Sequence, residues 1–237
     1  MTAAKVAIIL GVGPGLGSAV AHRFARKGFA VGLVARSEDY LNQLKTEIET
    51  VESAVTAVAD VTDPISIQTA FNKLHSELGS TEVLVYNAGA YINAGILELT
   101  PEQFEAAWKV NCFGAFLAAQ QVLPTMIEQQ RGTILLTNAT ASQKGSARFA
   151  ALAVGKFGLR ALAQSLAREF GPQGIHVVNI VIDGIINTPR TRSMMQERDQ
   201  QTFLSPDAIA ETYWQLYQQD RTAWTLEIDL RPAVEKF

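Results

Sequence analysis

The chain has one cysteine, Cys112, and three histidines, His22, His75 and His176, among 237 residues. One thiol cannot close an intrachain disulfide, and no histidine or cysteine pair stands at ligand spacing, so no metal site is expected. Charge is also scarce: Asp, Glu, Lys and Arg make up 18% of the residues, with a formal net charge of −3. That leaves no basic field for a phosphate backbone or an anionic membrane surface, which argues against nucleic-acid and membrane partners. The apolar N-terminal run is broken by Gly11, Gly13, Gly15 and Gly17 long before it could cross a bilayer, and it reads as a strand. A cytoplasmic setting fits these absences.

What is present is apolar substance, 48% of the residues, enough for one large core and for one undivided domain over residues 1–237. Short β-branched runs alternate with amphipathic stretches, the pattern of βαβ units and a parallel sheet. Seven strands are predicted at 6–10, 30–35, 54–58, 83–86, 133–137, 176–181 and 226–230. Between them, Leu41, Leu44, Ile48 and Val51 mark one helix with a buried face, and Ile67, Phe71, Leu74 and Leu78 another. A longer helical region runs over 101–130, and Leu159, Leu162, Leu166 and Phe170 stripe a further helix that Gly171 and Pro172 end. The expected class is α/β, a doubly wound, seven-stranded parallel sheet of the Rossmann type. Residues 188–206 carry little pattern and read equally as a mobile lid or as a surface helix with connecting loops.

The first strand runs into Gly11-Val12-Gly13-Pro14-Gly15-Leu16-Gly17, followed by a helix with Leu16, Val20 and Phe24 on one face. Glycines there let the backbone turn tightly and approach a pyrophosphate, whose charge meets the free N–H groups at the helix start. This is the reading for a nicotinamide dinucleotide site. About 20 residues later a NAD site would place an acid on the ribose hydroxyls. The chain reads Ala35-Arg36-Ser37 instead. A guanidinium suits a 2′-phosphate, so NADP is favoured, with NAD as the alternative. The alternative is a solvated arginine beside an N-cap at Ser37.

Further segments fall in order: Asp60-Val61 after the third strand, Asn87-Ala88-Gly89 after the fourth, Asn111 within the long helical region, and Lys156 on the leucine-striped helix. With the glycine loop, this resembles the short-chain dehydrogenase/reductase family along essentially the whole chain. The resemblance implies roles position by position. Asp60 and Val61 would flank the adenine, and Asn87, Ala88 and Gly89 would pack beside its ribose. Asn111 would bend its helix and hold a water, and Lys156 would grip the nicotinamide ribose. Thr188 would contact the nicotinamide amide, in a run from Asp183 and Gly184 through Ile186 similar to the family's Pro-Gly segment.

The pattern also breaks. The family's chemistry needs a tyrosine one helical turn before the lysine, and Leu152 stands there. Ala139 aligns with the serine that would orient the substrate oxygen, although a shift of one residue brings in Thr140. Two readings stay open: an NAD(P)-dependent oxidoreductase with an atypical site built on Asn111, Lys156 and Thr140, acting on a small carbonyl or alcohol substrate, or an NADP(H)-binding pseudoenzyme serving as redox sensor or partner subunit. Tyr91 and Ser142 are further substitutes for the missing proton donor. Apolar helix surface over 113–122 and 157–170 predicts a homodimer or homotetramer, with Arg231, Pro232 and Phe237 reaching a neighbour.

Overall fold

A computed structural model describes residues 5–235. All seven predicted strands form one parallel sheet: β1 (Lys5–Leu10), β2 (Phe29–Ala35), β3 (Ala54–Val58), β4 (Thr81–Tyr86), β5 (Gly132–Ala139), β6 (Ile175–Ile182) and, last in the chain, β9 (Glu227–Leu230). Their order across the sheet is β3-β2-β1-β4-β5-β6-β9. Chain order therefore reverses between β1 and β4, and a crevice opens at the carboxyl ends of the strands there.

The strands are apolar on both faces because both faces are covered. Along β1, Val6, Ile8 and Leu10 enter one core with Phe71, Val122 and Leu159. Ala7 and Ile9 enter the other, with Phe24, Leu44 and Tyr213. The first core is roofed by α3 (Pro64–Leu78), α5 (Gly114–Glu128) and α6 (Ala150–Phe170), and the second by α1 (Leu16–Ala25), α2 (Glu38–Ile48) and α8 (Pro206–Tyr217).

The long helical region resolves into α4 (Pro101–Trp108), a π turn (Lys109–Phe113) and α5. By length and composition the stretch could cross a membrane, but half of its most apolar window is buried inside the protein. Trp108, Phe113 and Phe116 stack in sequence on its outer side, with centroids 5.7 and 6.0 Å apart.

One expectation needs correction, and two segments gain detail. Val51 lies beyond the end of α2 and is exposed, because the helix stops at Ile48 before its stripe is complete. Residues 188–206 hold the short helix α7 (Pro189–Met194) and the strand β8 (Phe203–Leu204), which pairs in parallel with β7 (Ile185–Ile186); two-residue strands are too short to leave a periodicity. Arg231 pairs with Asp229 and, at 3.3 Å, with Asp183 of its own chain, while Pro232 packs where a side chain on Gly184 would stand. Phe237 lies outside the described residues.

Candidate dinucleotide cleft and active site

The glycine loop is fixed from behind and open in front. Gly11 has φ +83°, and a Cβ there would lie 2.3 Å from the Ala88 nitrogen. No side chain fits so close to the β4 crossover. The Gly11 and Val12 N–H groups donate to the Val34 carbonyl at 2.9 and 3.2 Å, and the Asn87 amide donates to the Gly11 carbonyl at 3.0 Å. Gly17 is as confined, 2.7 Å from the Gly11 oxygen to its would-be Cβ. Gly13, by contrast, has nothing within 4 Å of that point. Three of the four glycines are demanded by packing, and Gly13 faces open space. The third confined glycine, Gly15, caps α1, and the Thr188 methyl lies 2.6 Å from where its Cβ would be, joining the far segment to the loop.

In front of the loop lies a cleft of about 660 Å³. Arg36, Asp60, Val61 and Val110 form one end, Gly13, Pro14 and Asn87 to Gly89 the middle, and Tyr91 the other end. Leu16 and Gly17 sit beneath it, buried in the first turn of α1. The Thr62 backbone N–H and then its hydroxyl, both 2.8 Å from Oδ1, hold the Asp60 carboxyl below its usual range, and the Arg36 charge acts in the same direction. Arg36 is exposed and makes no hydrogen bond or close ion pair among the described residues. Ser37 does precede α2, but its side chain makes no capping bond.

Asn111 sits in the π turn with no exposed surface. Its Nδ2 donates to the Ala90 carbonyl at 2.8 Å and its Oδ1 accepts the Ala90 N–H at 3.2 Å. The widened turn aims this side chain at the loop after β4. Gly155 makes the approach of α6 feasible: a Cβ there would stand 2.6 Å from Asn111 Cβ. Lys156 is buried, donating from Nζ to the Thr137 carbonyl at 2.9 Å. Burial pushes its ammonium down to about 8 against a smaller opposing effect of Cys112. A Cβ on Gly89 would lie 3.6 Å from Asn111 Oδ1 and 4.0 Å from Lys156 Nζ. Gly89, Asn111 and Lys156 thus converge at the inner end of the cleft.

The hydroxyls nearby are committed elsewhere. Thr140 donates to the Asp183 carboxylate, and Ser142, fully buried, donates to the Ala139 carbonyl at 2.8 Å. The Thr137 hydroxyl bonds Tyr213 at 2.8 Å. Burial raises both Tyr213 and Tyr86 far above the usual phenol range. Tyr91 is 70% exposed and meets the Phe149 ring edge-on at 5.6 Å. Leu152 is half-buried, one turn ahead of Lys156 on α6. Ile186 lies in β7, and Thr188 caps α7 by accepting the Thr191 N–H at 3.1 Å.

Sequence reasoning missed Gly155 and a buried polar relay. Asn138 donates to the Lys156 carbonyl (3.1 Å) and to Asn179 Oδ1 (2.8 Å), Asn179 donates to Glu227 (2.8 Å), and Arg160 forks onto Glu227 at 2.6 and 2.7 Å. Their only sequence signal is polar residues inside otherwise apolar strands. Among the described residues no cluster of metal-ligating side chains occurs.

The family profile described as short chain dehydrogenase matches residues 5–199. A short-chain dehydrogenase/reductase of Armillaria gallica is 33% identical over 197 residues, covering 78% of this chain and 72% of that protein. The 3-oxoacyl-(acyl-carrier-protein) reductase FabG of Escherichia coli is 28% identical over 194 residues, covering 82% and 78%. Among solved structures, a short-chain dehydrogenase from Rhodopseudomonas palustris is 35% identical with a TM-score of 0.83, covering 96% of this chain and 98% of that one. An alcohol dehydrogenase from Thermococcus sibiricus complexed with 5-hydroxy-NADP shares the fold at a TM-score of 0.88, 24% identity and 98% coverage of each. The cleft and its sheet are those of an oxidoreductase class. This chain belongs to the short chain dehydrogenase family.

Proposed function

We propose that residues 1–237 form one dinucleotide-binding domain that holds NADP(H) and transfers hydride to or from a small carbonyl or alcohol substrate at an atypical active site. The observation that carries the binding half is the contrast in the glycine loop. Gly11, Gly15 and Gly17 are closed in by protein, whereas Gly13 faces an open cleft, the space a pyrophosphate needs beside the start of α1. The residues fit the group: Arg36 is free to pair with a 2′-phosphate, Asp60 and Val61 border the adenine end, and Lys156 is aimed toward the inner end. A bound nicotinamide supplies or accepts the hydride. The protein's share is to exclude water at the Asn111–Lys156–Gly89 convergence, to offer the Lys156 ammonium to ribose hydroxyls, and to hold the substrate oxygen near Thr140.

Leu152 replaces the family's phenol in this reading, and Ala139 its serine. General acid catalysis contributes about 10²- to 10⁴-fold, so hydride transfer without it would be slow but real. One observation favours the second reading, an NADP(H)-binding sensor or partner subunit: the Thr140 and Ser142 hydroxyls are engaged within the protein. We also propose a cytoplasmic homodimer or homotetramer, the oligomer supported by the exposed aromatic ladder of Trp108 and Phe116 and by the exposed Phe157.

Fluorescence titration with NADPH and NADH, followed by nicotinamide absorbance with aldehydes, ketones and alcohols, tests the proposal. Binding with measurable turnover supports the enzyme. Binding with none supports the pseudoenzyme, and no binding of either nucleotide overturns both.

A further inference from the structure

We infer that the substrate side of this site is built for a carbonyl or alcohol compound with a hydrocarbon body, seated on a wall of Tyr91, Phe149 and Leu152. The inference rests on the reading of the cleft as a nicotinamide dinucleotide site, which places the reacting end beside Lys156.

The wall is continuous with the cleft. Tyr91 lines the cleft's inner end, and its ring meets Phe149 edge-on at 5.6 Å with an interplanar angle of 62°. Phe149 opens α6, and Leu152 follows three residues later on the same helix face, one turn before Lys156. Phe149 and the half-buried Leu152 therefore stand at the start of the helix, on the turn that leads into the buried Lys156. Tyr91 keeps most of its surface exposed, which a side chain serving only the core does not do.

The hydroxyl and amide donor hydrogens nearby are already engaged. Thr137 is bonded to Tyr213, Asn138 to Asn179, Thr140 to Asp183, and Ser142 to the Ala139 carbonyl. Asn111 uses both ends of its amide on Ala90. The Tyr91 hydroxyl has no partner among the described residues, so it can meet one substrate oxygen. A polyol would bring several hydroxyls into a site with few free donors to meet them, which weakens its binding.

A clamp holds the wall and neutralises the charges at its rim. Arg148 forks onto Glu98 at 2.9 and 2.8 Å, reaches Asn93 at 3.1 Å, and accepts the Ala94 N–H on its carbonyl at 3.0 Å. It does so with φ +68°, a left-handed backbone that a non-glycine residue adopts only at some cost. The loop after β4 is thereby tied to the start of α6, fixing Tyr91 against Phe149. Beyond the clamp the loop presents Ile96 and Leu97, 69% and 98% exposed, extending an apolar mouth.

The test is calorimetric titration of the full chain, with and without saturating NADPH, using butanone, hexan-2-one and octan-2-one, and dihydroxyacetone as the polyol control. Affinity should tighten about 3- to 4-fold for each added methylene, and dihydroxyacetone should bind more weakly than butanone. Phe149→Ala should flatten the series while leaving the NADPH affinity unchanged. Should that variant fail to fold, as read by circular dichroism, Leu152→Ser reads the same wall. A flat series in the native chain, or dihydroxyacetone binding as well as the ketones, overturns the inference even if NADPH binds. A chain-length slope in a chain that ignores NADPH would keep the wall and discard the cofactor reading.

Discussion

Lys156 Nζ donates to the Thr137 carbonyl at 2.9 Å from a position where only 6% of the residue reaches solvent. The ammonium is desolvated with a neutral acceptor and, among the described residues, no close carboxylate, so its proton is held loosely, with a pKa of about 8. An unfolded lysine keeps its proton to about pH 10.4. The unfolded chain therefore binds more protons between those values, and stability should rise with pH across that window. Urea unfolding of the native chain and of Lys156→Met should show the native chain gaining about 2 kcal/mol relative to the variant between pH 8 and pH 10. An unchanged difference between the two pH values would mean that burial does not perturb this lysine.

The glycines should separate stability from binding. Gly11→Ala forces a Cβ into the Ala88 backbone at a positive φ and should lower the melting temperature by several degrees. Gly13→Ala meets nothing within 4 Å, so its melting temperature should stay within about 2 °C of the native chain. Its NADPH affinity should still fall about 10-fold, because the methyl occupies the approach of the diphosphate. Equal affinity in Gly13→Ala and the native chain would remove the cradle from the argument.

Arg36 should decide between the two nucleotides. Losing a charge-assisted bond of about 1.5–3 kcal/mol, Arg36→Ala should bind NADPH about 10- to 100-fold more weakly and bind NADH almost unchanged. Parallel loss for both would assign Arg36 to the surface.

Restoring the phenol and the serine should restore proton transfer. Leu152→Tyr with Ala139→Ser should raise turnover by about 100-fold or more over the native chain with the same carbonyl substrates. A variant that binds NADPH normally but gains nothing would show that the loop around Thr140 and Asp183 no longer presents a reacting geometry.

The relay behind Lys156 should be felt in stability. Glu227→Ala leaves the Arg160 guanidinium and the Asn179 amide without their shared carboxylate. A cost of about 2–3 kcal/mol should lower the melting temperature by about 5–10 °C. Adding Arg160→Ala should cost less than the two changes separately, since they share one interaction. Strict additivity would deny the coupling.

Most of the sheet was legible because each strand is a β-branched run covered on both faces, and each major helix has an apolar stripe at its own period. The glycine loop was legible for the same local reason: strand, glycines and helix are neighbours in sequence. Thr140 shows the limit. Its hydroxyl made it a candidate for the missing proton donor, and nothing local indicated that Asp183, just past the end of β6, would take that hydroxyl. Arg148 carried no signal at all, since its partners Asn93 and Glu98 lie on a loop some fifty residues away in the chain.

The sequence alone determined the parallel α/β sheet, the glycine cradle and the identity of the side chains at its ends, because these depend on propensity, periodicity and spacing over short stretches. The tertiary structure decided which polar groups remain available. Whether Thr140, Ser142 or Asn111 can meet a ligand depends on partners that only packing brings within hydrogen-bond distance, and the proton affinity of Lys156 depends on how completely the surrounding helices exclude water.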